Sequence, residues 1–422
     1  MPAYLGPILP ILAAAALLQL GNGLLATLIG VRLESAGFAA SVAGLVTTAY
    51  FAGLLAGSSL SGHVINRVGH IRAFASFATV LSAAALIYAL SGGPFVWSAV
   101  RFANGFAMAG VLLAMESWLN HVSGNARRGS ALSVYMAVCY AALSVGPLLM
   151  TIEEPGGFAL FSIASILMGL SLLPMSLSNR AQPGVTQPSR LRFRDLVRIS
   201  PLGIVGAILA GAMIAPLVGL TSVYAVSVGH GVSGAAAFWL ALIGGGFVLS
   251  FPIGRLSDRI ERRLVLSGIG FAALATALVF RAAGDGSLEV LMLFGAVFGG
   301  LVFAAYPLAA AHTNDHLPPE DSVPAAAGLL IAFGAGAVAG PPVAALAMDL
   351  AGPGALFDSV AAIAAGLGLF ALYRRTRRPD VDEAEKGAFI VLPRTSPAAY
   401  EMDPWTGDAT AGEPLVGDDE SH

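Results

Sequence analysis

Twelve apolar stretches, each long enough to cross a bilayer, constrain this chain more than any other feature of it. They lie near 4–31, 41–65, 72–92, 95–120, 129–150, 157–178, 200–228, 233–257, 262–282, 287–312, 322–349 and 354–373, and breaks bearing glycine, proline or charge separate most of them. One crossing of the hydrocarbon core takes about 20 apolar residues as a helix. The expected fold is therefore an all-α membrane protein with twelve transmembrane helices. Composition agrees, since 11% of the 422 residues are charged and 56% are hydrophobic, whereas a soluble domain carries about 25% charged residues. A soluble enzyme of this size could not cover itself with so few charges. The first run lacks a basic segment before it and exceeds a signal peptide's apolar core, so it reads as a span rather than a cleaved leader.

Arginine sets the expected orientation. With both termini in the cytoplasm, 19 Lys and Arg residues fall on the inside, two (Arg32 and Arg281) fall outside, and Arg101 lies within span 4. That asymmetry follows the positive-inside rule and predicts a multi-pass protein of the cytoplasmic (inner) membrane. Loop 313–321 is the inside connection with no Lys or Arg. Residues 375–422 carry net −6 and the remainder net +3, so nothing asks for a nucleic-acid partner. The tail reads as an acidic disordered extension. Cys139, the single cysteine, excludes an internal disulfide and a Cys-based metal cluster. The sequence has no phosphate-loop motif and no His-Glu-x-x-His. His312 and His316 beside a proline-rich loop do not make a convincing metal pair, and no cofactor or metal is expected.

Two pieces of sequence recur at nearly equal offsets. The segment Gly62…Asn66-Arg67-Val68-Gly69-His70…Arg72 follows the second run, and Gly254…Asp258-Arg259-Ile260-Glu261-Arg262-Arg263 follows the eighth, 192 residues later. Gly146-Pro147 recurs 194 residues later as Gly340-Pro341. Such offsets predict two pseudo-symmetric six-helix halves related by parallel duplication, at 1–178 and 200–374. A basic cytoplasmic connector, 179–199, joins them.

The segments after spans 2 and 8 resemble Gly-x-x-x-Asp-Arg-x-Gly-Arg/Lys-Arg/Lys, the signature of the major facilitator superfamily. Over roughly 5–374 the chain is similar to that family's poorly characterised bacterial transporters, with Glu116-Ser117 late in span 4 and Tyr306-Pro307 in span 10. The first copy departs at Asn66 and His70, the second at Glu261. The resemblance implies a secondary transporter rather than an enzyme, moving a small solute by alternating access, with protons as the expected coupling ion. The expected partners are that solute, protons and the lipid bilayer, and the chain is expected to act as a monomer. A uniporter or efflux pump for amphipathic compounds remains open, as does a receptor or scaffold that keeps the fold.

The signature has its own physics. Gly62 and Gly254 would let helices approach closely. Asp258 can accept hydrogen bonds from a helix end or an arginine, while Arg259, Arg262 and Arg263 stay at headgroup level. One reading is a clasp that forms in one conformation and breaks in the other, stronger in the second copy because Asn66 brings no charge. The other makes these segments, with Arg67, Gly69 and Arg72, simple anchors of orientation.

Arg101 lies about two turns into span 4, where a charge costs at least about 2.5–3.5 kcal/mol. It either faces the interior or snorkels to the headgroups. The resemblance, through Arg101-x-x-x-Gly105, implies a cavity role in handling substrate or proton. Glu116 lies about 22 Å further along the same helix, too far to pair with Arg101. It reads as a titrating proton carrier or as a partner of Arg72, Arg127 or Arg128 in the gate. Gln19, Asn22, Tyr50, Asn104, Thr221, Tyr224 and Tyr306 are the candidate solute contacts near mid-membrane. Helix–helix hydrogen bonding competes for each of them.

Overall fold

The structure is a computed structural model that describes residues 5–91, 93–123, 127–177, 193–283, 286–318, 321–377, 387, 389 and 396–402. Among them, twelve helices are long and apolar enough to cross a membrane. In order these are span 1 (Gly6–Ser35), span 2 (Ala40–Val68), span 3 (His70–Leu90), span 4 (Pro94–Val122), span 5 (Arg128–Thr151) and span 6 (Ala159–Ser176). The second half holds span 7 (Pro201–Ser227), span 8 (Gly231–Arg259), span 9 (Arg262–Ala283), span 10 (Leu288–Asn314), span 11 (Ser322–Ala351) and span 12 (Ala355–Arg375). Each overlaps one of the twelve apolar runs. Of the connector, Phe193–Ile199 forms a short helix, and 179–192 lies outside the described residues.

Proline explains the irregularities inside spans. Span 6 breaks after Leu170 and span 10 after Phe303. Each break falls four residues before a proline, Pro174 and Pro307, whose missing amide cannot bond that carbonyl. The last turns of span 5, Gly146–Thr151, tighten into a 3-10 helix with Pro147 in its first turn. Gly69 ends span 2 with φ of 87°, a left-handed conformation that glycine adopts without strain.

The helix pairings of the first half repeat in the second. Spans 1 and 5, 2 and 4, and 3 and 6 pack together, as do 7 and 11, 8 and 10, and 9 and 12. The repeated Gly-Pro pairs do the same work in each. A Cβ on Gly146 would sit 2.4 Å from the Leu20 carbonyl oxygen of span 1, and one on Gly340 would sit 2.3 Å from the Ala212 carbonyl oxygen of span 7. Small residues thus let backbones touch where no hydrophobic drive separates helix from lipid.

Gly62 and Gly254 do not play that part. A Cβ on Gly62 would meet only Leu113, at 3.9 Å, and one on Gly254 would meet the Phe389 ring of the C-terminal tail. Part of the tail expected as a disordered extension over 375–422 is ordered, and 378–386, 388, 390–395 and 403–422 lie outside the described residues. Pro397–Met402 forms a 3-10 turn, and Ser396, Ala398, Ala399, Tyr400 and Met402 are buried. Tyr400 and Met402 bury apolar surface there, which offsets part of the cost of ordering the segment. Arg180, Arg190, Arg192, Arg378, Lys386 and Arg394 lie outside the described residues.

The halves meet most closely at one end. There the backbone amides of Ala40 and Ser41 donate to the Asp349 carboxylate at 2.8 and 3.0 Å, so span 11 caps the start of span 2. A Cβ on Gly44 would lie 2.5 Å from that of Ala345, and one on Gly30 would overlap the Ser222 hydroxyl. Nearer the middle, Trp239 Nε1 donates to the Leu143 carbonyl at 3.1 Å and Tyr140 stacks on Phe247 with centroids 5.0 Å apart. The opposite end, which carries the signature segments, is the arginine end.

Candidate functional site

Between the halves lies a cavity of about 160 Å³. A cavity near 150 Å³ holds a benzene-sized group, so this conformation has room for one ring. Its two walls differ chemically. The first half contributes Gln19, Asn22, Tyr50, Arg101, Glu116, Tyr135, Cys139 and Tyr140 among its lining residues. The second half contributes Ile214, Val218, Trp239, Ile243, Phe303 and Phe333. The indole N–H of Trp239 is already committed to Leu143, so the second wall is apolar throughout. A solute with one polar end and one apolar side fits such a chamber.

Arg101 is 5% exposed and faces this cavity rather than the headgroups. Its guanidinium carbon lies 4.4 Å from the centroid of the Tyr50 ring, and Nη1 donates to Asn104 Oδ1 at 3.4 Å. A cation over a desolvated aromatic face gains up to about 2 kcal/mol, but neither partner neutralises the charge. Among the described residues Arg101 has no carboxylate partner. Asn104 is fully buried behind it and supports the arginine instead of lining the cavity. Asn22 donates to Gln19 across one turn of span 1, at 3.3 Å.

Glu116 also lines the cavity and is 1% exposed. Its carboxylate accepts a hydrogen bond from the Ser396 hydroxyl of the tail, a partner that spacing within span 4 could not show. Four residues on, the Tyr400 hydroxyl meets that of Tyr306 at 2.9 Å, and the Asn120 amide donates to Glu401. Burial raises the Glu401 carboxyl above the usual carboxylate range, against the pull of Asn120 and Arg128.

Besides Asn104, three more expected solute contacts lie elsewhere. Thr221 turns its hydroxyl back to the Leu217 carbonyl of its own helix. Tyr224 packs edge-on against Phe357 at 4.7 Å in an aromatic cluster of the second half. Tyr306 meets Tyr400 and the Phe333 ring. Residues i and i+3 share a helix face, but pattern alone does not say whether that face meets the cavity or a neighbouring helix. Trp239, Phe303 and Phe333 escape a reading of the sequence because aromatic residues within apolar runs read as core. Nothing in their spacing marks them as lining.

The second signature copy is a closed network at the arginine end. Arg262, 1% exposed, reaches Asp315 through Nε at 2.6 Å and Nη2 at 3.3 Å. Its Nη1 reaches Ser257 at 3.0 Å and Asp258 at 3.3 Å, and Nη2 also donates to the Gly387 carbonyl. Arg262 is thus buried among acceptors, not held at headgroup level. Arg263 is buried too, 2.6 Å from Glu261, which also pairs with Arg375 at 2.7 Å. The acidic residue that departs from the signature is what neutralises this arginine. Asp315 sits in the loop that lacked Lys and Arg, and its job is to face Arg262. Burial raises its carboxyl above the ordinary value, and the pull of Arg262 offsets only part of that rise. The side chains of Arg67, Arg72 and Arg259 are exposed, and none makes an ion pair among the described residues.

Twelve spans in two matching halves around a central cavity define a membrane transporter. A match to the Major Facilitator Superfamily runs over residues 11–250 and 236–405, and the chain belongs to that family. It is similar to the uncharacterised MFS-type transporter YcaD of Escherichia coli O45:K1 (strain S88 / ExPEC), at 28% identity over 373 residues, 86% of this chain and 94% of that one. The same figures hold for YcaD of Escherichia coli (strain UTI89 / UPEC). Among solved structures, the nucleoside transporter NupG superposes with a TM-score of 0.71 at 14% identity, covering 87% of this chain and 98% of that one. A bacterial homolog of the human lysosomal transporter Spinster, inward-facing and occupied, gives 0.68 at 14% identity over 92% and 99%. At such identities these structures establish the fold alone.

Proposed function

We propose that the protein is a secondary active transporter for small solutes that carry an anionic or strongly polar group beside an apolar body. The observation that carries this reading is Arg101, a guanidinium held in the cavity with no carboxylate to neutralise it among the described residues. A buried cation is costly unless an anion meets it, and a solute anion would do so against the polar wall. Its apolar part would lie on Trp239, Phe303 and Phe333. Transport proceeds by alternating access of the two halves, as a monomer in the cytoplasmic membrane with both termini inside. Protons are the coupling ion, and Glu116 is the carboxylate placed to carry them.

Uptake of labelled organic anions, zwitterions and cations into proteoliposomes tests the reading. Anions should be carried best, Arg101→Ala should abolish transport while the protein inserts and folds, and Arg101→Lys should keep part of it because charge survives without the planar fork. Wild-type rates in the alanine variant would refute the cavity role. Collapse of accumulation by a protonophore, and its loss in Glu116→Gln, would support proton coupling. Accumulation indifferent to the pH gradient favours the second reading, a uniporter for amphipathic compounds, which the apolar wall also suits. For topology, Gln187→Cys in a Cys139→Ala background should resist an impermeant thiol reagent in intact cells, and labelling from outside would reverse the orientation.

A further inference from the structure

The halves touch directly at the Asp349 end, but at the arginine end the C-terminal tail stands between them. The 3-10 turn Pro397–Met402 packs against spans 4 and 5 of the first half and span 11 of the second. Ser396 and Glu401 bond to Glu116 and Asn120 in span 4, whereas Tyr400 bonds to Tyr306 in span 10. Seven residues of chain therefore hold both halves. Upstream, the Phe389 amide donates to Asp258 at 3.0 Å, its ring covers Gly254, and the Gly387 carbonyl accepts from Arg262. Tyr400 is fully buried and Ser396 is 1% exposed, so the segment is packed into the bundle rather than laid on its surface.

We propose that this tail is a built-in plug of the transport path, and that solute reaches the cavity from the arginine end only after it leaves. Glu116 links plug to path, because the same carboxylate lines the cavity and holds Ser396. With the plug seated, the chamber is shut by helix packing at one end and by the tail at the other. The second signature copy takes a further role as the plug's dock, since Gly254, Asp258 and Arg262 all touch Gly387 or Phe389. The inference rests on the transporter reading, but its test does not require a solute.

Cys139, the only cysteine, lines the cavity and serves as the reporter. The full chain in nanodiscs is exposed to a charged methanethiosulfonate reagent, and the labelling rate of Cys139 is followed by mass spectrometry. The reagent reacts only through the open fraction, so if the plug is absent about 10% of the time, losing it raises the rate about tenfold. Two variants remove it by different means. Phe389→Ala with Tyr400→Ala takes away its apolar anchors, and Ser396→Asp sets a second carboxylate against Glu116. Arg255→Ala, an exposed residue of the same face, is the control. Faster labelling in both plug variants but not in the control, with unchanged thermal midpoints, supports the plug. Wild-type rates in both variants overturn it. An equal rise in the control also overturns it, because the bundle has then merely loosened. Failure to transport any solute with this labelling pattern intact would count against the transport reading alone.

Discussion

The two copies of the signature follow one sequence pattern, and the molecule uses them differently. After span 8, Arg262 and Arg263 are buried, and each has a carboxylate oxygen 2.6 Å away. After span 2, Arg67 and Arg72 point to solvent. The difference is not confined to Asn66 against Asp258. Positions equivalent to Arg262 and Asp315 by the 192–194 offset hold His70 and, at 121–123, His-Val-Ser, so the first half lacks both the buried arginine and its acid. Nor, among the described residues, does the first copy have a tail laid across it. A repeated motif therefore need not carry a repeated function. Its environment decides whether a charge is an anchor or part of a structure.

The largest test of that contrast is Arg262→Ala against Arg67→Ala. Removing Arg262 leaves Asp315 buried without its cation, which should cost about 3–5 kcal/mol, whereas the exposed Arg67 should cost no more than about 0.5 kcal/mol. Thermal unfolding in detergent measures both, and equal losses would break the comparison. Next comes Glu261→Gly, which restores the family residue yet strips Arg263 of its neighbour. It should destabilise by about 1.5–3 kcal/mol, and a stabilised variant would mean that the glycine is simply better there. Where the halves are alike, they should respond alike. Gly146→Ala and Gly340→Ala each push a methyl into a facing carbonyl, and each should cost about 1–3 kcal/mol. A large inequality would show that the Gly-Pro pairs differ in role. The smallest effect belongs to Asn66→Asp, which returns the missing acid to an exposed site and should change stability by less than about 0.5 kcal/mol. A clear gain would show that the first copy can also form a clasp.

The parts legible in sequence and the parts that were not divide along a physical line. The spans were legible because a helix in lipid must be about 20 apolar residues long whatever its neighbours are. The Gly-Pro repeat pointed correctly to matched halves, since close backbone packing needs small residues wherever it occurs. Arg101 was legible as a costly charge within a span, but whether it turned to the interior or to the headgroups was decided by the packing. Thr221, Tyr224 and Tyr306 were not legible in the same way. A neutral polar side chain satisfies itself equally well on a carbonyl of its own helix, on an aromatic neighbour or on a solute.

The sequence by itself determined how many apolar spans the chain has, which residues are too charged to face lipid, and that two segments recur at nearly equal offsets. These follow from local energies: the cost of exposing a peptide group or a charge to hydrocarbon is set where the residue sits. Tertiary structure alone decided which face of each helix lines the cavity, that Asp315 answers Arg262 across 53 residues, and that Ser396 returns across 280 to Glu116. Those contacts depend on helix rotation and on the closure of long loops, and the entropy of closure rises too slowly with length to favour one partner over another. Only the packed bundle, by bringing one carboxylate and one hydroxyl into the same dry space, makes the choice.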